Sequence, residues 1–437
     1  MLQKIISSNP VVRVMGGGLA LALLFWLALS AVYAIPGSLV KSHLSESAAI
    51  LESEGDYPYD LASATGYDNY TATIMLVNCA ITNDNPFVES LRNSQFFPSD
   101  QPRVTALEEV LNGEVNATYS RYWHGYILLL KPLCILFNVQ EIRIVLQTIF
   151  LVMCGITAAI MSKRIKHGLS LGIMLLLSCG FFTAMKASSD LPLFFSFFIM
   201  LLGVCAVALV ESERLLQRTP YVFFIIGALT VYFDFLDTPI ITLGVPLCVY
   251  LMRLLTEDFE TKRIVGSVCV SALLWAFGYG YLWILKWLLA AMVLGPDVIS
   301  GALNAASFRL GVSESAAQYD TSSQGAIELN LERLGFVKYI MIAALVAGIA
   351  LLFILVIKRF LLNEEMFPGN FCAAISALLV VVLPYAWYAI FSNHSCIHTF
   401  VYRDQLVTLF ALLSMGWYFA YLLIAAKRNG IMEGQKR

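Results

Sequence analysis

Charge is scarce in this chain. Asp and Glu number 30 and Lys and Arg 28 among 437 residues, so charged side chains make up 13%, hydrophobic ones 59%, and mean hydropathy is +0.75. Soluble domains carry about twice that share of charge, and a chain with so little of it takes the bilayer as its solvent. The net charge of −2 comes with no basic patch interleaved with aromatics, which excludes nucleic acid as a partner. None of the nine cysteines forms a CxxC pair, and most lie inside apolar runs, so packing is expected of them rather than a metal site or disulfide framework. Cys79 and Cys396 alone fall where a disulfide between outer segments is conceivable. Gly16-Gly17-Gly18 lacks the lysine and hydroxyl of a phosphate loop, which argues against nucleotide chemistry on that face. No internal repeat is evident.

What the chain has in quantity is long apolar runs. About ten reach or approach the ~20 residues that cross a hydrocarbon core. They lie near 14–35, 141–161, 168–186, 191–210, 220–236, 238–254, 264–293, 336–357, 370–391 and 402–425. The expected fold is a single all-α polytopic membrane domain over residues 1–437. The first run is longer than the core of a signal peptide and is read as a retained anchor. With the N-terminus inside, Lys163 to Lys166, Arg214 to Arg218, Lys262-Arg263, Lys358-Arg359 and Lys427-Arg428 all become cytoplasmic, as the positive-inside rule requires. Both termini are then cytoplasmic in a multi-pass cell-membrane protein. A large loop at 36–140 and a second at 295–335 become extracytoplasmic. From Pro36 to Arg121 the first loop carries twelve acidic residues against four basic ones.

Tyr119 to Phe137 is too short to cross, because Lys131-Pro132 interrupts it. Its tyrosines and Trp123 favour the headgroup layer, and Arg121, His124 and Lys131 fall within about 80° of one another on a helical wheel. The segment is predicted to be a juxtamembrane helix. Asp237-Thr238-Pro239 marks a very short turn, since proline cannot continue the preceding helix.

The candidate polar residues all fall on the outer face: Asp68, Arg121, His124, Asp190, Asp234 with Asp237, and Asn393 to Arg403. His394 and His398 are spaced to stack on a helix. No glutamate stands between them and no third ligand is near, so a zinc site is weakly supported and any metal ligand set is unknown. A phosphate site is the preferred reading: Arg403 presents a forked pair of donors and the imidazoles add more. A polar belt at the interface is the bland alternative, and for the Arg121, His124 and Lys131 face it is an anchor to anionic lipid. Asp68 is either a carboxylate held near the membrane or a helix cap, with Asp56 and Asp60 as competing bases.

In order along the chain, Tyr119 to Arg143, Ser189-Asp190-Leu191-Pro192 and Leu236-Asp237-Thr238-Pro239 resemble the layout of the GT-C superfamily of membrane glycosyltransferases, over roughly residues 1–260. The resemblance implies inverting transfer of a sugar from a polyprenyl-phosphate-linked donor to a glycan or glycolipid acceptor of the cell envelope, with a first-loop carboxylate as base. Carried onto this sequence, Asp68 is that base. Arg121, His124, Asp190, Asp237, His394, His398 and Arg403 become substrate contacts. A divalent cation is the one cofactor for which the resemblance leaves room. Where the family has adjacent acidic residues, Asp68 here is followed by Asn69. The competing functions are a transporter or flippase of lipid-linked saccharides and a non-catalytic envelope scaffold. A transporter would show repeats and mid-membrane charges.

Overall fold

The computed structural model describes residues 10–58, 66–257, 259–313, 316, 322–361 and 376–434. Asp60 lies outside them. The described chain is almost wholly helical, its sheet being a two-residue antiparallel ladder of Ser94–Gln95 on Ala117–Thr118.

Helix α1 (Pro10–Tyr33) is followed by α2 (Lys41–Glu54), α3 (Asn69–Ala80), α4 (Pro86–Arg92), α5 (Ala106–Leu111) and α6 (Ile127–Cys134). Next come α7 (Val139–Arg164), α8 (Gly168–Phe181), α9 (Ala184–Ala187), α10 (Leu191–Leu209), α11 (Leu215–Phe233), α12 (Ile240–Thr256) and α13 (Thr261–Leu294). The last are α14 (Asp297–Arg309), α15 (Ser323–Glu332), α16 (Val337–Leu361), α17 (Ser376–Val381), α18 (Leu383–Ile390), α19 (Ser392–Ile397) and α20 (Leu406–Gly434).

Among the described residues, seven segments are long and apolar enough to cross a membrane: Pro10–Tyr33, Val139–Arg164, Leu191–Leu209, Ser212–Phe233, Thr261–Leu294, Val337–Lys358 and Thr399–Ala425. Their outward faces are apolar, as in Leu19, Leu23 and Leu27 of α1 and Ile342, Ile349 and Phe353 of α16. A water-soluble bundle would carry charge there, and the chain is a multi-pass α-helical membrane protein.

Local sequence explains the helix ends. At α7 the Asn138 side chain accepts from the amides of Gln140 and Glu141, and Glu141 accepts from the Asn138 amide, a reciprocal cap. Three buried cations close helix C-termini, where unpaired carbonyls and the dipole favour positive charge. Lys131 Nζ reaches Ile81 O at 3.2 Å just past α3, and Lys286 Nζ reaches Ser90 O and Leu91 O at 3.1 and 3.0 Å in the last turn of α4. Arg253 donates to Val207 O and Val210 O, each at 2.8 Å, after α10.

Helices α11 and α13 approach most closely at two glycines. A Cβ on Gly227 would stand 2.1 Å from Trp275 O, and one on Gly278 would stand 2.2 Å from Phe224 O. Small residues at such crossings let backbones meet.

Three expectations are altered. Residues 119–126 are not helical: the chain there turns, with His124 at φ +62°, and the helix is confined to the eight residues of α6. Arg121, His124 and Lys131 therefore do not share a helical face. Bonds from the loop to distant elements win over local periodicity here, notably Gly125 N to Tyr232 O at 2.7 Å. The run at 168–186 gives the 14-residue α8, which ends where Thr183 takes φ +51°. In the run at 370–391 the described part is two short helices, α17 and α18, joined at Val382 just before Pro384. Cys79 is a free thiol, so the disulfide conceivable between it and Cys396 is not formed.

Candidate functional site

The segment from α2 to α6 packs on the end of the bundle where α1 and α11 finish and α7, α10 and α12 begin. Arg143, in the first turn of α7, lays its guanidinium fork on Glu54, with both N–H···O distances 2.8 Å. It also donates to Asn69 Oδ1 at 2.9 Å, while Asn69 Nδ2 donates to Glu54 and Gly55 O. This bidentate, charge-assisted network fixes the start of α3 against the bundle.

Asp68 is the N-cap of α3. Its Oδ1 accepts from the Thr71 amide at 3.0 Å and its Oδ2 from the Thr71 hydroxyl at 2.6 Å. Its own amide donates to Asp190 Oδ2 at 3.1 Å. Asp190 in turn precedes α10, whose Pro192 suits a first helical turn. Two carboxylates far apart in sequence are thus joined through a backbone amide.

Both carboxylates line a cavity of about 440 Å³ whose facing wall carries His398 and Arg403, with Tyr57, Tyr67 and Phe400 completing it. Tyr67 is held between two cations, the Arg143 guanidinium 3.9 Å and the Lys186 ammonium 3.8 Å from its ring centroid. Burial pushes the Asp68 carboxyl up to about 6, against the pull of the Thr71 hydrogen bonds. Burial and then the neighbouring Asp68 charge push Asp190 up to about 7. Burial, with Arg309 and Arg333 nearby, pushes His398 down to about 4. At neutral pH, then, His398 is an uncharged donor or acceptor, and Arg403 supplies the positive charge of the wall.

Asp237 and His394 lie just behind this cavity. The Asp237 carboxylate is buried beside Asp234, and burial with that like charge holds its pKa well above the usual carboxylate range. Asp234 accepts from Ser196 Oγ and the Leu236 amide, each at 2.8 Å. These bonds hold Leu236 at φ +72°, a costly conformation for leucine that marks a constrained turn. The His394 Nε2 is 2.8 Å from Leu236 O and donates to it. Its ring centroid is 4.4 Å from that of His398. The expected pairing of the two histidines is present. Yet among the described residues no three His, Cys, Asp or Glu are placed to hold a metal ion.

Arg121 and His124 are not at this cavity. His124 is buried, with Nε2 2.8 Å from Tyr119 O and Nδ1 within reach of Asn78 Nδ2 and the Tyr126 hydroxyl, at 3.2 and 2.8 Å. Burial holds its pKa well below the ordinary value, and both ring nitrogens are used internally. It is a structural residue. Asp56, the competing base, is also engaged: its oxygens accept the amides of Arg103 and Val104, at 3.0 and 2.9 Å.

Sequence reasoning missed Arg309 and Arg333. Arg333 donates to Ser395 O, Cys396 O and His398 O at 3.2, 2.8 and 2.8 Å, and so fixes the strand of chain that presents His398. Asn330 supports it with a 2.8 Å bond to Ser395 O. Local sequence carried no signal for this docking: Ile327 to Glu332 alternates apolar and polar as a strand does, whereas α15 is a helix that buries Ala326 and Asn330.

The chain matches no family model, no curated protein and no solved structure.

Proposed function

We propose that this protein is a glycosyltransferase. It moves a sugar from a polyprenyl-phosphate-linked donor to a glycan or glycolipid acceptor at the extracytoplasmic face of the cell membrane, with inversion. The observation that carries the reading is a single cavity in which Asp68 and Asp190 face Arg403 and His398. Such transfer needs those two functions opposed. The acceptor hydroxyl attacks the anomeric carbon, its proton passes to a carboxylate, and the sugar–phosphate bond breaks as charge develops on the departing lipid phosphate. Arg403 meets that charge and His398 adds a hydrogen-bond donor.

Within the carboxylate pair, Asp190 is the proton acceptor. Both Asp68 oxygens already accept from Thr71, whereas among the described residues the Asp190 carboxylate accepts only the Asp68 amide, and it is the more basic of the two. Asp68 positions Asp190 and starts α3.

The membrane arrangement belongs to the same reading. The seven long spans, together with α8, α12 and the α17–α18 segment, make ten crossings, and both termini are cytoplasmic. Residues 36–140 and 295–335 then cover the outer face. The basic turns Lys163-Arg164, Arg214 to Arg218 and Lys262-Arg263 all adjoin helix ends opposite the cavity, which supports this sidedness.

The test is transfer of labelled sugar from a polyprenyl-phosphate donor by purified protein in lipid. Asp190→Asn is expected to slow transfer by about 100-fold or more while donor binding is retained. Arg403→Gln is expected to weaken donor retention. Asp68→Asn keeps the helix cap, since asparagine caps as well as aspartate, and should reduce transfer less than Asp190→Asn. Full activity in Asp190→Asn would remove it from the base role. A wild-type protein that binds donor and carries it across the bilayer without transfer would make the protein a transporter.

A further inference from the structure

A second cavity, also about 440 Å³, opens on the same end of the bundle. It holds Arg92, Ser120 and Arg121 on one side, Val293 and Leu294 on the other, and Asp297 at the start of α14. Arg121 does not reach the first cavity, yet it is held in place with care. Its carbonyl accepts the indole N–H of both Trp283 and Trp287, at 2.8 and 3.0 Å. Its guanidinium lies over Tyr119, 4.0 Å from the ring centroid. Among the described residues that guanidinium has no carboxylate or carbonyl acceptor, and its Nε is buried without one. A planar fork of N–H donors fixed on an aromatic face and left unpaired is built to receive oxygens from outside the chain. Arg92 stands on the same wall, engaged only loosely by Glu89 at 3.6 Å and 38% exposed.

We propose that this second cavity binds a phosphate ester that carries hydroxyl groups. The phosphate oxygens sit at Arg121 and Arg92. Asp297 would repel a bare anion, so the ligand must also offer it a donor, and a glycerol or sugar hydroxyl supplies one. The apolar wall and the position of the cavity choose the source. Val293 and Leu294 end the α13 span, and Trp283 and Trp287 lie in its last turns, the depth at which tryptophan meets lipid headgroups. The occupant is therefore a phospholipid headgroup of the phosphatidylglycerol type, a site independent of the sugar-transfer reading.

The test is native mass spectrometry of the full chain released from nanodiscs of phosphatidylcholine with a minority of phosphatidylglycerol, alongside titration with glycerol 3-phosphate. Wild type is expected to retain phosphatidylglycerol in preference to phosphatidylcholine. Arg121→Gln and the partly exposed Arg92→Gln should each lower that retention by about tenfold, the scale of one charge-assisted pair. Arg121→Lys should fall between, since it keeps charge without the fork. Asp297→Asn should weaken phosphatidylglycerol but not phosphatidic acid, which has no headgroup hydroxyls beyond its phosphate. Saturable binding of glycerol 3-phosphate without lipid preference would keep the phosphate-ester site and make its source soluble. Equal retention of the two lipids, with no saturable binding of glycerol 3-phosphate, would overturn the proposal.

Discussion

Asp190 and Asp68 show how one residue's environment sets both stability and chemistry. Each carboxyl holds its proton more tightly in the folded protein, at about 7 and about 6, than in the unfolded chain, where the ordinary value is about 4. Between about pH 4 and 7 the folded state binds more protons than the unfolded one, so stability is fully present below that window and falls as pH rises through it. Transfer has the opposite slope, because the base must be unprotonated. Below about pH 6.5 the buried neutral histidines act in the opposite sense, since the unfolded chain binds protons there that His398 and His124 do not; the thermal midpoint in nanodiscs is thus expected to decline from about pH 6.5 to pH 8 while the transfer rate climbs, and Asp190→Asn should flatten the decline. A midpoint that rises over this range would show that these carboxyls are ordinary. Asp68 also illustrates two readings meeting in one side chain: it is a helix cap, as Asp before an apolar run suggests, and it lies 5% exposed on the cavity wall.

At the scale of elements, the site depends on how closely helices approach. The α11–α13 crossing leaves no room for a Cβ on Gly227 or Gly278, whereas Gly280, two residues along the same helix, faces open space. Alanine at either of the first two positions is expected to cost about 1–3 kcal/mol through overpacking. Gly280→Ala should be neutral or slightly stabilising, by up to ~1 kcal/mol, as alanine replaces glycine inside a helix. Thermal unfolding of the three variants in one lipid would separate them, and equal midpoints would mean that the crossing yields without cost. The long helices themselves were legible because an apolar run of that length has one stable use. The Tyr119 to Phe137 helix was misread for the converse reason. Its aromatic periodicity was real, but Trp123, His124 and Tyr126 are spent on contacts with Leu282 O, Tyr119 O and Asn78, none of which local spacing can reveal.

At the scale of the whole molecule, the proposed sidedness makes a direct expectation. Ser99, exposed on the segment between α1 and α7, and Lys262, exposed at the start of α13, adjoin opposite ends of the bundle. In a background without other reactive thiols, Ser99→Cys should label with a membrane-impermeant maleimide in intact cells, and Lys262→Cys only after permeabilisation. The reverse pattern would invert the topology and put the cavity in the cytoplasm. By itself the sequence determined that the chain lives in a bilayer, where most of its spans lie, and which of its polar residues gather at one end, because hydrophobic run length and the placement of Lys and Arg are properties of the sequence. The tertiary structure alone decided which of those polar residues share a cavity. Asp68 and Asp190 meet through one backbone amide, and Arg403 and His398 reach them from the far end of the chain, held there by Arg333. His124 and Arg121, equally suitable by residue type, are turned elsewhere. Those partners are set by packing between elements distant in sequence, 122 residues for Asp68 and Asp190 and 65 for Arg333 and His398, and spacing along a chain carries no record of that.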